Sequence, residues 1–116
     1  MKHFFKLSEL REEHAAAGKR YLEFLRVPSL SSGIYVLPAG GEDPQTPHHQ
    51  DEIYYVIGGR ARMKITRNES TAAGMTSEDR LVTTGSVIFV EASTEHNFHS
   101  IEEELVVLVV FGPAED

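Results

Sequence analysis

The sequence predicts an all-β domain, an antiparallel sandwich or barrel, preceded by one short helix. Three observations carry the prediction. Helical spacing is confined to a segment near the N-terminus, where Leu7, Leu10, His14 and Ala17 form a narrow apolar stripe. From residue 20 onward come about seven short runs of β-branched and aromatic residues, most of them closed by Gly or Pro. Arg60–Ile65 alternates strictly, which puts Ala61, Met63 and Ile65 toward a core and Arg60, Arg62 and Lys64 away from it.

Taken in order, Ser8 is placed to cap the helix, acidic residues Glu9, Glu12 and Glu13 suit its first turns, and Gly18 can end it. The expected strands are Tyr21–Leu25, Gly33–Leu37, Ile53–Ile57, Arg60–Thr66, Leu81–Thr84, Val87–Val90 and Leu105–Phe111. Gly58-Gly59 separates the third from the fourth. The last is apolar on both sides, the pattern of a strand covered on both faces. Asn68–Asp79 is small and polar and reads as a long hairpin loop. Glu102–Glu104 reads as a solvated turn, and Tyr35, Met63 and Phe89 as core.

Composition narrows the chemistry. The 116 residues suit one domain, residues 1–116. Eleven Lys and Arg against eighteen Asp and Glu leave a net charge of −7, a poor match for a nucleic-acid binder. The longest apolar run, Leu105–Phe111, is far short of the roughly 20 residues a membrane span requires. With no signal-like leader, the expected address is the cytoplasm. The absence of cysteine removes thiolate metal sites, disulfides and catalytic thiols. No nucleophile elbow, phosphate loop or dinucleotide fingerprint is present. Metal or acid–base chemistry therefore falls to six histidines and the carboxylates.

Two clusters concentrate those groups. The first, Gly40 to Gly59, holds His48, His49, Asp51 and Glu52. Imidazole nitrogen with carboxylate oxygen is a ligand set for divalent iron, manganese, nickel, copper or zinc. In a straight strand His48 and Glu52 lie roughly 13 Å apart, too far for one ion, so the chain has to bend between them, and Gln50-Asp51 is the expected place. The second cluster, Gly85 to Ser100, holds His96 and His99. His96 can close a site from another strand, although spacing alone does not require it.

The two clusters resemble the paired motifs of the cupin superfamily. The first family motif runs G-(X)5-H-X-H-(X)3,4-E-(X)6-G, and here Gly40, His48, Glu52 and Gly59 fall on it, with Thr46 at the first histidine. The second runs G-(X)5-P-X-G-(X)2-H-(X)3-N, matched by Gly85 and His96, with Glu91, Ser93 and Ser100 at the proline, glycine and asparagine. The resemblance implies a small antiparallel cupin β-barrel, a double-stranded β-helix of jelly-roll type. It implies a divalent metal (Fe, Mn, Ni, Cu or Zn) held by His48, Glu52 and His96. With Thr46 at the first ligand position, Gln45 or Thr46 can supply an oxygen, His49 can swing in, or water can take the place.

Tyr54 shares strand parity with Glu52, and Phe98 with His96, so both are candidates for the pocket wall, with Gln45 a substrate contact at its mouth. His99, His14 and His3 are expected outside the site. The resulting expectation is a metal-dependent enzyme, dioxygenase-like, acting on a small organic molecule. Its alternatives are an isomerase or lyase, and a non-catalytic module that binds or senses a small ligand. A homodimer through the outer sheet, involving Tyr21–Leu25 and Leu105–Phe111, is implied by the same resemblance.

Overall fold

The computed structural model describes residues 1–68 and 75–116, with the side chains of Asn68 and Met75 left aside. Helix α1 spans Leu7–Ala17 and is followed by strands β1 (Tyr21–Val27), β2 (Leu30–Leu37), β3 (Asp51–Asn68), β4 (Met75–Thr83), β5 (Val87–Val90) and β6 (Glu95–Gly112). All strand pairs are antiparallel, in the order β1-β2-β6-β3-β4, with β5 also paired to β3. Among the described residues no helix is long and apolar enough to cross a membrane.

The two longest strands, β3 and β6, are 18 residues each and form the spine. One end of β3 pairs with the last residues of β6 and with β5; its other half pairs with the start of β6 and with β4. Between these halves the register slips at Val56–Gly58, Gly58–Arg60 and Arg60–Arg62. Such irregularities bend and twist a strand, curling one sheet around its own core. The expected turn at Gly58-Gly59 is thus a bend inside one continuous strand. Gly59 makes it feasible: its φ is 103°, and a Cβ there would lie 2.2 Å from the Glu104 carbonyl oxygen.

The core follows the alternation. Ala61 and Met63 are buried, as is the row Leu105, Val107, Val109 and Phe111, together with Tyr35, Leu37, Val56 and Val90. The outer side of β6 is covered as expected, because Val106 packs with Ile34 and Leu10 of α1, and Leu108 lies against them. Within the helical stripe Leu10 is buried, whereas Leu7 stays exposed.

Several expectations are corrected. Ser8 does not cap the helix; Lys6 is the N-cap, without a side-chain bond, and Ser8 lies inside the first turn. Gly18 does close it, at φ 65°, donating its N–H to the His14 carbonyl. The polar stretch expected as a loop contributes Asn68 to β3 and Met75–Asp79 to β4, with residues 69–74 outside the described residues. Residues 76–80 are exposed, and an edge strand without a buried face shows no apolar alternation to read. Glu102–Glu104 lies within β6, not in a turn, where Glu102 pairs with Arg60 at 2.7 Å. Phe89 is not core: it stands on the outer face of β5, more than half exposed.

Candidate metal centre

The chain does bend where the ligand geometry demands it. Residues 49 and 50 form a bend before β3 starts at Asp51, so His48 lies off the strand axis and reaches back over Glu52. His96 arrives from the start of β6. The His48 Nε2 lies 3.9 Å from Glu52 Oε1, and His96 Nε2 lies 2.7 Å from the same oxygen. One ligand atom from each of these three residues falls within 4.8 Å of the others. Two donors bonded to one ion at about 2.1 Å are separated by at most about 4.2 Å, so both measured separations suit a shared ion.

The ring orientations are fixed from outside. His96 Nδ1 lies 2.8 Å from the Thr94 carbonyl oxygen, which can only accept, so Nδ1 carries the proton. His48 Nδ1 lies 3.0 Å from Glu115 Oε2 in the same sense. Both rings therefore turn Nε2 inward, the arrangement in which an outer acceptor sets the tautomer of a metal-binding histidine.

A fourth acceptor joins them. The Gln45 amide donates its Nε2 to Asp43 Oδ2 at 2.7 Å, which leaves Oε1 facing inward, 3.1 Å from His48 Nε2 and 2.8 Å from the Tyr54 hydroxyl. Asp43 is itself pinned by the Tyr35 hydroxyl at 2.6 Å and the Phe98 backbone N–H at 2.8 Å. The Tyr54 hydroxyl also lies 3.0 Å from His96 Nε2. Burial, then the Glu52 carboxylate, raises the Tyr54 pKa well above its ordinary value, so the phenol remains a donor.

Counted atom by atom, the centre gathers Gln45 Oε1, His48 Nε2, Glu52 Oε1 and His96 Nε2, with the Tyr54 hydroxyl between the Gln45 and His96 atoms. Glu52 is 2% exposed, and among the described residues neither of its carboxylate oxygens has a hydrogen-bond partner. His96 Nε2 stands 2.7 Å from Glu52 Oε1, an ion pair when the ring is protonated. Burial pulls the His96 imidazolium pKa down; the Glu52 carboxylate and Thr94 carbonyl outweigh it and hold the value above that of an ordinary histidine. A buried carboxylate facing lone pairs is costly unless a cation stands among them. The donors, nitrogen and oxygen only, fit a divalent transition ion.

Beside the centre lies a cavity of about 140 Å³. Gln45, His48 and Tyr54 form its floor, and Tyr21, Tyr35, Val109, Phe111 and Glu115 its walls. The Glu115 pKa is raised by burial.

The expected site residues therefore separate. His48, Glu52, His96, Gln45 and Tyr54 converge. Phe98 does not line the cavity; two residues beyond His96 along β6, it is buried in the core and packs on Tyr54, ring centroids 5.1 Å apart. His49 is exposed and pairs with Asp116 at 3.3 Å, and Thr46 is exposed, so neither stands at the fourth position. His99 faces outward to Asp79, and His14 donates to the Arg20 carbonyl. Sequence reading missed Asp43, Tyr21 and Glu115. Asp43 sits inside the first motif's loop; Glu115 follows the last strand and is signalled by no motif.

The model of the family described as "Cupin domain" matches residues 33–111. The chain is a cupin. This cupin is 47% identical over 111 residues to the uncharacterized protein SCO3923 of Streptomyces coelicolor, covering 96% of each chain. Among solved structures, BH2720 of Bacillus halodurans superposes with a TM-score of 0.73 at 15% identity, over 99% of the cupin and 84% of that chain. A structure titled Fe(II)-HppE with alternative substrate (S)-1-HPP gives a TM-score of 0.61 at 22% identity, over 78% of the cupin and 48% of that chain. At these identities the structural likeness shows the double-stranded β-helix fold, and chemistry has to be argued from the residues.

Proposed function

We propose that this cupin is a metal-dependent enzyme acting on a small organic molecule, with a divalent transition ion held by His48, Glu52 and His96 and by the Gln45 amide oxygen. The observation that carries the reading is the convergence of two imidazole nitrogens, those of His48 and His96, on the buried Glu52 carboxylate, which has no hydrogen-bond partner among the described residues; the Gln45 amide oxygen stands 3.1 Å from the first of them. Bound there, such an ion supplies Lewis-acid polarisation of a substrate oxygen or, if redox-active, access to dioxygen chemistry.

The chain's own residues do the rest. Two histidines and one carboxylate leave coordination positions for substrate, as in non-heme iron oxygenases, which favours a dioxygenase-like reaction. Tyr35, Val109 and Phe111 exclude water from one side of the reacting molecule. Asp43 holds the Gln45 amide in the orientation that presents oxygen, and Glu115 and Thr94 do the same for the two imidazoles.

A second reading is favoured by Tyr54. Its protonated hydroxyl lies within 3.0 Å of two site atoms, placed to give a proton to a bound substrate, which suits an isomerase or lyase. The test is oxygen uptake by Fe(II)-loaded protein with a panel of catechols, thiols, 1,3-diketones and amines, run beside anaerobic product analysis. Substrate-dependent uptake lost in His96→Ala supports the oxygenase; turnover without oxygen supports proton transfer; neither, in metal-loaded protein, refutes an enzyme for that panel.

We also propose a homodimer, through a surface other than the expected Tyr21–Leu25 and Leu105–Phe111, since Val106 and Leu108 on the outer side of β6 already pack with Ile34 and Leu10. Ile53, Tyr55, Val87 and Phe89 stand exposed and paired on the outer face of β3 and β5, a contiguous apolar surface of the kind that oligomers cover.

A further inference from the structure

We propose that the cavity beside the metal centre selects a small organic cation, an alkylated ammonium group caged by Tyr21, Tyr35 and Phe111 and charge-paired by Glu115. The inference rests on the reading above that this cavity is the substrate's place, and it adds the chemical class of the substrate.

Size comes first. A closed apolar cavity of about 150 Å³ accommodates benzene, so about 140 Å³ here holds roughly six heavy atoms. The walls are aromatic and mutually steep. Tyr21 and Tyr35 lie with ring centroids 6.4 Å apart at 66°, and Tyr21 and Phe111 6.4 Å apart at 82°. These angles belong to edge-to-face contacts of the rings with one another, and all three rings line the cavity, where a ring face met by an occupant attracts a desolvated alkylammonium. Gly33 makes room for the Tyr21 ring, since a Cβ there would lie 2.3 Å from it.

Charge decides between a cation and a neutral guest. Among the described residues, no lysine or arginine lines the cavity, whereas Glu115 does. Two arginines bear on its walls from outside, Arg20 on Tyr35 and Arg26 on Tyr21 and Glu115; Arg26 is engaged by Glu23 at 2.8 Å and by the main-chain oxygen of Glu115. Glu115 is held in place by its N–H to Ser31 Oγ at 2.9 Å, and the preceding residue by Ala114 N–H to the Pro28 carbonyl at 3.3 Å. One carboxylate oxygen takes the His48 proton; the other is left for the guest. A divalent ion on Glu52 leaves the metal centre with a surplus positive charge, so the selection of a cation falls to the Glu115 carboxylate on the cavity wall and to the aromatic rings. The Tyr21 hydroxyl, buried and without a hydrogen-bond partner among the described residues, adds a polar atom that a purely hydrocarbon guest leaves unused.

The experiment compares choline with 3,3-dimethylbutan-1-ol, its neutral isostere with carbon in place of the charged nitrogen, by calorimetric titration of metal-loaded and chelator-treated protein. Choline is expected to bind at least about tenfold more tightly than the alcohol. Glu115→Gln is expected to erase most of that ratio while leaving the alcohol's affinity unchanged. Tyr21→Leu is expected to weaken choline alone, and Tyr21→Phe, which keeps the ring, to retain it. Equal affinity for the two probes, or a Glu115→Gln variant that is folded by circular dichroism and keeps the full ratio, overturns the proposal. Metal uptake without choline binding also overturns it and leaves the metal centre standing. Choline binding without metal uptake supports the cage and refutes the metal centre.

Discussion

Replacing Glu52 by Gln has opposite consequences with and without metal, and the sign change follows from the geometry of one carboxylate. Glu52 is 2% exposed and its two oxygens have no hydrogen-bond partner among the described residues. A buried charge so placed costs several kcal/mol, relieved in part by the nearby His96 when that ring is protonated. In chelator-treated protein the neutral amide removes this cost, a gain of about 1–3 kcal/mol. At about 4 °C per kcal/mol for a chain of this size, that is a rise of about 4–12 °C in melting temperature. Metal reverses the order. An ion at a thousand times its dissociation constant stabilises wild type by about 4.1 kcal/mol, and the variant, lacking its anionic ligand, loses most of that. The pH dependence has a definite sign. The His96 pKa is raised in the folded state, so the stabilisation from its proton is complete below about pH 6.5 and is lost as the pH rises through the folded value. The gain from Glu52→Gln in chelated protein is therefore larger at high pH. Paired thermal melts with chelator and with metal read all of this. A variant that melts lower than wild type in chelator, by as much as it does in metal, refutes the reasoning.

Three further outcomes are expected. Gln45→Ala weakens metal binding by about 10- to 100-fold in a competition titration while changing the melting temperature of chelated protein little, and Asp43→Asn weakens it in the same direction because the amide loses its anchor. Gly59→Ala costs about 3 kcal/mol, seen as a fall of about 12 °C in melting temperature, since its Cβ meets backbone of β6 at a positive φ. Phe89→Asp converts a dimer to a monomer by light scattering with little change in metal content, because Phe89 lies on the face of β5 away from the centre.

Much of the site is legible in the chain because strand parity and ligand chemistry are local properties. His48 and Glu52 are donors four residues apart, and the requirement that they meet forces the bend that the structure has before Asp51. Ala61 and Met63 declare their face through two-residue periodicity. The rest depends on partners distant in sequence. Gly58-Gly59 looks like a turn, yet a close approach to Glu104 makes it a bend in a continuous strand. Phe89 looks like core in a four-residue run, and only the assembled sheet shows that its face of β5 is uncovered. Glu115 enters the site because the segment after β6 folds back onto Ser31 and Pro28, a consequence of tertiary contacts that no spacing encodes.

The central claim, that the inward-facing acceptors of His48, Glu52, His96 and Gln45 hold a divalent ion, is tested most directly by metal content. Elemental analysis of protein purified without chelator, beside Glu52→Ala and His96→Ala variants prepared identically, is predicted to give about one transition-metal ion per wild-type chain and only traces in the variants. Wild type that holds no metal above trace, even after incubation with iron, manganese, nickel, copper and zinc in turn, would contradict the account.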